Sequence, residues 1–541
     1  MRKILLMSAV LLLATGARAA TTYVSQSGGT VTCNAGSHSS VSVATFNTST
    51  PAAGDHVYIC GTLTTFLGVY GSGTSGNVIT VTWDTGASIS LPTCNGSGAK
   101  CVDLSNNSYI VLDGGTPCGP GTVCAASDSG TGIIEATASG SPPLANQPGP
   151  SEGIYSTGSH VEIKNLIIRN VYQHTSFMDN TGGAGDYSGA YIEGSGDSMH
   201  DCTVHDVSAA YEIPGGTNLS DISFYNNNLW NINWGFSSAT GGSGSTQTSY
   251  SIHDNHFGTT ANWDDSNDTY HHDQLFLYDS VAGEGSFNGV LIYNNLFDGA
   301  QGMYSTGMIY FGGGQQQNTY VYNNVFNNSG QSTGMGNALL ELTGNDGTTT
   351  QTVWVYNNTI LGAGPTIDTQ DCVVLQGTFV FESNVVSGCA TLEELQNGTG
   401  GAPTITGLDY NQYAFGTGSN IWKYGNTSTD CSTLTCWQSA TSAEAHSAYY
   451  SSQSSLDISS TGVPLAGSPL INAGPNFTST CSTATGLCSD TSYGGQIIPT
   501  ARPSTGSWTI GAYNLDAGPV APCAACMVLL PPTNLTARVL F

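Results

Sequence analysis

A short phrase of apolar, polar, Asn, Asn and apolar positions recurs along the chain. It reads FYNNN at Phe224 to Asn228, IHDNHF at Ile252 to Phe257, IYNNLF at Ile292 to Phe297, VYNNVF at Val321 to Phe326 and VYNNTI at Val355 to Ile360. Weaker members align at Asn165, Cys202, Asn384 and Asn411. Steps from Cys202 to Asn228, Asn228 to Asn255, Asn295 to Asn324, Asn358 to Asn384 and Asn384 to Asn411 are 26, 27, 29, 26 and 27 residues. A unit repeated at this interval predicts a solenoid, one coil per repeat. Three steps are longer, at 37, 40 and 34 residues, and these coils are where insertions and function are expected.

Between the Asn phrases lies a second set of short apolar runs: AYIEG from Ala190, AAYEI from Ala209, QLFLYD from Gln274, GMIYFG from Gly307, ALLELTG from Ala338 and CVVLQG from Cys372. With 70 glycines and 9% charged residues, the chain suits β-branched strands broken by tight turns rather than long amphipathic helices. About 27 residues per coil accommodate three short strands, the geometry of a parallel β-solenoid. The aligned Asn side chains are then expected to stack inside as a ladder, consumed by neighbouring coils.

The N-terminus carries Arg2 and Lys3, an apolar run from Ile4 to Leu13 and an Ala17-Arg18-Ala19 cleavage pattern, which predicts a secretory signal over residues 1–19. Removing it leaves six Lys and Arg against 37 Asp and Glu, a formal charge near −31, which argues against a nucleic-acid partner. Fifteen cysteines fit an oxidising compartment. Pairing neighbours gives Cys33 with Cys60, Cys94 with Cys101, Cys118 with Cys124, Cys372 with Cys389, Cys431 with Cys436, Cys481 with Cys488 and Cys523 with Cys526, leaving Cys202 as a buried thiol. The expected organisation is an N-terminal cap and first coils over 20–107, a solenoid core over 108–430, closing coils over 431–516 and a Pro-rich tail over 517–541. No transmembrane segment is expected, and the protein is read as a secreted monomer.

Three passages resemble secreted bacterial right-handed parallel β-helix proteins of the pectate lyase-like superfamily. The opening is TTYVSQSGG from Thr21, with AGDHVYICGT from Ala53 and SGTSGNVITV from Ser72; SYIVLDGG from Ser108 is similar to a first full coil. SPLINAG from Ser468, GGQIIPTARP from Gly494 and WTIGAYNLD from Trp508 resemble a closing module. The resemblance implies an all-β fold, a right-handed single-stranded parallel β-helix with an Asn ladder and loop insertions. It implies no one activity, because this architecture hosts lyases, hydrolases, epimerases and non-catalytic surface proteins.

The Asn-Thr-Asp, paired-Asp and Arg-Ile-Lys strands of polygalacturonase-like hydrolases are missing. Classical pectate lyases use an Arg base beside calcium-bound Asp. Here the cations on the solenoid are few, Lys164 and Arg169 with Lys100 and Lys423 nearer the ends, and a solvated or stacked role suits them better than a base.

The densest chemistry lies in the 40-residue coil, in HFGTTANWDDSNDTYHHDQ, which carries His256, Trp263, Asp264, Asp265, Asp268, Tyr270, His271, His272 and Asp273. Such a cluster supplies an acid and a base together. HHDQLFLY is similar to the His-x-Asp-Gly opening of groove-lining strands in β-helix proteins, with Gln274 in place of Gly. Other readings stay open: Asp264, Asp265 and Asp268 as a Ca²⁺ loop, His271 and His272 as turn-capping side chains, or the whole loop as a solvated insertion.

A second insertion, VYQHTSFMDNTGGAGDYSG from Val171, falls at the same phase three coils earlier. At about 4.8 Å per coil the two loops would stand about 14 Å apart and wall a groove. Its expected floor is Glu193, Glu212, Trp234, Asp273 and Tyr278, faced by His174, Asp179, Asp186 and Tyr187. Aromatics beside carboxylates suit a sugar chain, and the negative charge favours a neutral or acetylated glycan over a polyuronate. The expected reaction is glycoside hydrolysis, with Asp273 as one carboxyl and Asp265, Glu193 or Glu212 as the other. The alternatives are calcium-assisted lyase or epimerase chemistry with His272 or Tyr270 as base, and a non-catalytic glycan-binding adhesin.

Overall fold

The computed structural model describes residues 19–94, 100–137, 152–172, 188–216, 218–241, 244–263, 271–279, 285–328, 331, 338–343, 352–364, 371–398, 401–425, 429–491 and 499–515. Fifteen strands form one long sheet whose neighbours are successive coils, from Thr21–Ser25 to Thr404–Asp409, and apart from the N-terminal hairpin every pairing in it is parallel. Most remaining strands join into a 24-stranded sheet, because in two coils one strand, Thr203–Ile213 or Asn228–Thr240, bends unbroken from the second face into the next, and Thr246–Thr248, Ser286–Asn288 and Gln315–Gln317 form a small parallel sheet of their own. Each coil therefore turns once and pairs in register with the coils on either side. This is a parallel β-helix.

The Asn-Asn phrase divides its labour at the corner after the first sheet. The first member adopts the left-handed conformation, with φ 52° at Asn226, 54° at Asn294, 55° at Asn323 and 50° at Asn357, and Asp201, Asp254, Ser383 and Tyr410 do the same elsewhere. Asn tolerates this region better than most side chains, which explains its choice. The second member points inward. Asn295 donates from its backbone N–H and its Nδ2 to Asn324 Oδ1, at 3.1 and 3.0 Å, and also from Nδ2 to Ile252 O. Asn324 repeats this with Asn358, Asn358 with Asn384, and Asn384 with Asn411.

The ladder starts one residue away from the expected alignment. Asn227, not Asn228, fills the rung, accepting from Cys202 N at 3.1 Å and donating to Asn255 Oδ1 at 3.0 Å. Three consecutive Asn residues made the choice ambiguous; Asn228 instead opens the next strand, opposite Thr203 and His256. Asn165 is also not a rung, because Lys164 pairs with His200 and places Asn165 beside Asp201 at the left-handed corner, leaving buried Leu166 opposite Cys202. Cys202 is a buried free thiol at the ladder's first rung.

Apolar side chains fill the interior from Val24 to Trp437 as one cluster. On the outside of the first sheet His200, Tyr225, His253, Tyr293 and Tyr322 stack ring on ring, with centroids 4.5, 5.0, 4.7 and 5.0 Å apart. The chain after Ser452 runs back over part of this surface. Tyr293, Tyr322 and Tyr356 pack with Phe477, Leu487 and Trp508, and buried Arg502 donates to Asn323 Oδ1 and to the carbonyls of Thr509 and Gly511. The helix Val43–Phe46 and the hairpin Gly29–Cys33 with Gly36–Ser42 sit at the N-terminal end, and the helix Leu434–Thr441 at the C-terminal end. Six disulfides join the neighbouring cysteines expected, from Cys33–Cys60 to Cys481–Cys488; Cys523 and Cys526 lie outside the described residues, as do residues 1–18 and 516–541.

Truncating a rung leaves its neighbours' buried donors unmatched. Asn227→Ala is expected to cost about 3 kcal/mol, and Asn228→Ala, outside the ladder, about 1 kcal/mol or less, read from the urea midpoints of the two variants.

Candidate groove on the outer face of the solenoid

The two long insertions leave the solenoid at one corner. The first follows Tyr172, at the end of the Leu166–Val171 strand, and the second lies between His256–Phe257 and Asp273–Asp279. Between them lie the two coils that round the same corner without any insertion. The stems meet above these coils: Tyr172 and Trp263, both buried, touch edge to face at 5.8 Å and 85°. Trp263 is thus enclosed as a clasp between the loops rather than offered as a stacking platform. On the two uninterrupted strands at this bend Asp206, Ser208, Asn231 and Asn233 are all buried, and Asn231 Nδ2 donates to Asp206. Among the described residues Ser208 Oγ, Asn231 Oδ1 and Trp234 Nε1 are buried polar atoms without a hydrogen-bond partner, an arrangement that a ligand or water would complete.

Beyond the corner the outer face of the second column presents a strip set by strand register. Tyr155, Tyr191, Glu212, Ser237, Phe276, Tyr310 and Glu341 lie opposite one another in successive coils, followed by Val374, Glu394 and Lys423. Phe276 stacks on Tyr278 at 4.4 Å and on Tyr310 at 5.2 Å, with ring planes within 7°. His271 meets Phe276 and Tyr310 edge-on at 5.0 and 5.4 Å. Trp234 lies directly opposite Asp273 in the neighbouring strand.

Asp273 and His271 form a hydrogen-bonded pair, Oδ2 to Nδ1 at 2.6 Å. The Asp273 side chain is fully enclosed and its Oδ1 accepts from Gly307 N at 2.7 Å, whereas the imidazole is 38% exposed. The enclosed acid therefore fixes the orientation of the accessible ring. His272 points the other way, fully buried, with Nε2 3.1 Å from Gln301 O. Gln274, where the similar pattern has Gly, donates its amide to the carbonyls of Phe257 and Asp298 at 2.8 and 2.9 Å and ties the base of the insertion to the coil.

The carboxylates around this pair lie at graded distances. Glu212 accepts from Ser188 Oγ, Glu193 faces the Tyr191 hydroxyl at 3.5 Å, and buried Glu341 accepts from Thr343 Oγ1 at 3.2 Å. Glu212 and Glu341 stand four coils apart, about 19 Å, too far to act on one bond, while the Phe276 coil lies midway between them. Burial, with Glu341 and then Asp273 adding to it, pushes the Tyr310 hydroxyl up to about 12, so both acids lie within electrostatic reach of that phenol. Tyr278 is raised by burial and by Glu212. Both hydroxyls remain protonated donors at neutral pH.

The strip's two cations are already engaged. Lys100 lies 3.0 Å from the Tyr155 ring centroid and 3.9 Å from Asp103, and Lys423 contacts Asp371 and Glu394 at 3.2 and 3.0 Å. Arg169 and Lys164 do not sit on the strip. Lys164 is bound to Glu162, and Arg169 is clamped by Asp128 and Glu135; burial lowers its pKa but the two carboxylates outweigh that and hold it above its ordinary value, which disfavours a base. His256 lies on the adjoining face between Asn228 and Asp298.

Of the residues singled out in the sequence, Asp273, His271, Glu212, Trp234 and Tyr278 come together here, with Glu193 at the edge. Asp264, Asp265, Asp268, Tyr270, His174, Tyr187, Asp179 and Asp186 lie outside the described residues. Phe276, Tyr310 and Glu341 escaped the sequence reading; the signal was the lone acid in ALLELTG, whose alignment with Tyr310 needs the strand register. Among the described residues no group of three or more His, Cys, Asp or Glu is arranged to hold a metal ion.

Fold and strip together define a parallel β-helix with an aromatic and acidic strip beside a roofed corner. No protein-family model matches the chain, and no curated protein matches it in sequence. Solved structures similar to it include pectate lyase Pel9A, at 13% identity and TM-score 0.43, covering 92% of this chain and 97% of that one. The GH136 lacto-N-biosidase from Eubacterium ramulus is similar at 11% identity and TM-score 0.39, covering 80% and 67%. XylC in complex with xylose is similar at 10% identity and TM-score 0.39, covering 74% and 86%.

The two tryptophans should separate by stability. Trp263→Ala is expected to cost about 3–5 kcal/mol through the emptied clasp, and Trp234→Ala, half-buried, less than about 2 kcal/mol, measured by urea unfolding.

Proposed function

We propose that this chain is a secreted enzyme that hydrolyses a neutral or acetylated polysaccharide lying along the strip. The observation that carries the reading is the enclosed Asp273 holding a half-exposed His271 against the Phe276–Tyr310 stack, with a carboxylate two coils away on either side. In this reading a sugar packs on the exposed aromatic surface of Phe276, Tyr278 and Trp234. His271, oriented by Asp273, transfers the proton at the glycosidic oxygen. Glu341 serves as the second group, because it reaches the same phenol as Asp273; Glu212 and Glu193 line the neighbouring subsites. A polyuronate would lie along a strip that carries Glu212, Glu341, Asp371 and Glu394 with both strip cations already paired, so repulsion favours an uncharged chain. Six disulfides fit an extracellular setting, and no helix among the described residues is long and apolar enough to cross a membrane.

One contact supports a second reading. His271 lies edge-on to Tyr310, a base beside a protonated phenol, the pair that β-elimination or epimerisation of a uronate would use, with Ca²⁺ to neutralise its carboxylate. Incubation with neutral and acidic polysaccharides, with calcium or chelator, separates the readings. Reducing ends without unsaturated product, on a neutral glycan and indifferent to chelator, is the expected outcome. Unsaturated product dependent on calcium moves the assignment to a lyase, and binding without turnover to an adhesin. His271→Ala and Glu341→Gln are each expected to lower kcat by at least about 100-fold with little change in glycan affinity.

A further inference from the structure

The Asn ladder ends in acid. Asn411, its last rung, donates Nδ2 to both carboxylate oxygens of Glu444 at 3.2 and 3.3 Å, and its backbone N–H donates to Ser447 Oγ, which in turn donates to Glu444. Glu444 belongs to the C-terminal cap, just past the helix Leu434–Thr441. Glu393 belongs to the last coils of the solenoid, in the strand Glu393–Gln396. Between them stands Tyr413, whose hydroxyl lies 2.5 Å from Glu393 Oε2 and 2.5 Å from Glu444 Oε1. All three side chains are fully buried.

A phenol has one proton, and two contacts of 2.5 Å need two. With both acids ionised, one carboxylate would face the lone pairs of the Tyr413 oxygen in a dry interior. One of the two acids must therefore be protonated. Glu444 already accepts from Asn411, Ser447 and Tyr413, as an ionised carboxylate should. Glu393 is held more sparsely: among the described residues its Oε1 has no hydrogen-bond partner of good geometry, and besides Tyr413 only the Trp437 indole stands near enough to act on the carboxyl. The order is Glu393–OH to Tyr413 Oη, and Tyr413 O–H to Glu444.

We infer that this buried proton fastens the cap to the end of the solenoid, so that the cap is tightest at acid pH and loosens progressively as pH rises through neutral. Burial raises both acids, Glu444 to about 7, against about 4.3 for Glu in the unfolded chain. The native end then binds more protons than the opened one between that lower value and the folded values. Stability is present below it and is lost as pH rises through the folded values. The neighbouring charges do not reverse the sign. Asp409, paired with His446 at 2.7 Å, adds negative potential at Glu444, while Lys423 is spent on Asp371 and Glu394 on the outer face; Tyr449 and Tyr424 pack on Trp422 and Trp437. The lock also reaches the strip. Glu394 follows Glu393, so the strand that holds one of the two acids carries the strip's C-terminal end outside, where Glu394 lies opposite Lys423.

The test is hydrogen exchange of the mature, disulfide-intact protein from pH 5 to 9, corrected for the intrinsic rate. Peptides over residues 411–450 are compared with peptides over 79–113. Opening of the C-terminal segment is expected to grow about tenfold per pH unit once Glu is ionised in the opened state, with the N-terminal coils flat. Glu393→Gln keeps a donor towards Tyr413 without a titrating group and should abolish the slope; Glu444→Gln leaves buried Glu393 to titrate and should keep one. A flat wild type, or a slope that survives in Glu393→Gln, overturns the inference. Should both variants fail to fold, the infrared carbonyl band of a buried, protonated carboxylic acid decides: it must be present in wild type at neutral pH, and its absence overturns the proposal.

Discussion

The ladder of buried Asn side chains is the interaction on which the rest of the molecule depends. A bare amide inside an apolar interior is costly, and each rung avoids that cost only by bonding to the coils before and after it. The consequence is a fixed phase. The residue before each rung must turn through the left-handed region, the chain must re-enter the second face at the same height, and extra residues can enter a coil only away from this corner. Insertions are thereby confined to the other bends, and two of them fall at one bend.

That confinement builds the candidate groove. Two coils round the bend without an insertion, two flanking coils carry long ones, and Tyr172 meets Trp263 across the gap. The polar atoms beneath are enclosed and incompletely bonded, which is expensive unless something else uses them. Beside this roofed corner the strip alternates aromatic rings with acids, and its cations are already spent. Uncharged, hydroxyl-rich chains are the ligands such a surface tolerates best. The His271–Asp273 pair is placed where the second loop rejoins the sheet, so loop length and strand register jointly bring a titratable ring onto an otherwise rigid face.

A ladder must also begin and end, and both ends depart from Asn. Cys202 opens it with a thiol that needs little hydrogen bonding, so the preceding coil can present Leu166 instead of another amide. Glu444 closes it with an acceptor strong enough to take the last free amide. Placing a carboxylate there brings a second acid and a phenol into short contact, and the capped end of the interior becomes a proton-sensitive point.

Repeat length, the Asn phrase and the absence of helical periodicity were enough to read a parallel solenoid with an internal ladder, because each coil must solve the same packing problem locally. The pairing of neighbouring cysteines and the coincidence in phase of the two insertions were legible for the same reason. Which of Asn226, Asn227 and Asn228 faces inward was not, since a run of identical residues carries no phase and only pairing with Asn255 selects it. Nor could the sequence show that Trp263 and His272 turn inward while His271 stays accessible, or that Glu341 belongs with Phe276 and Tyr310. Those outcomes depend on register between strands about 30 residues apart and on the bend of each coil, and both exist only once the coils are stacked.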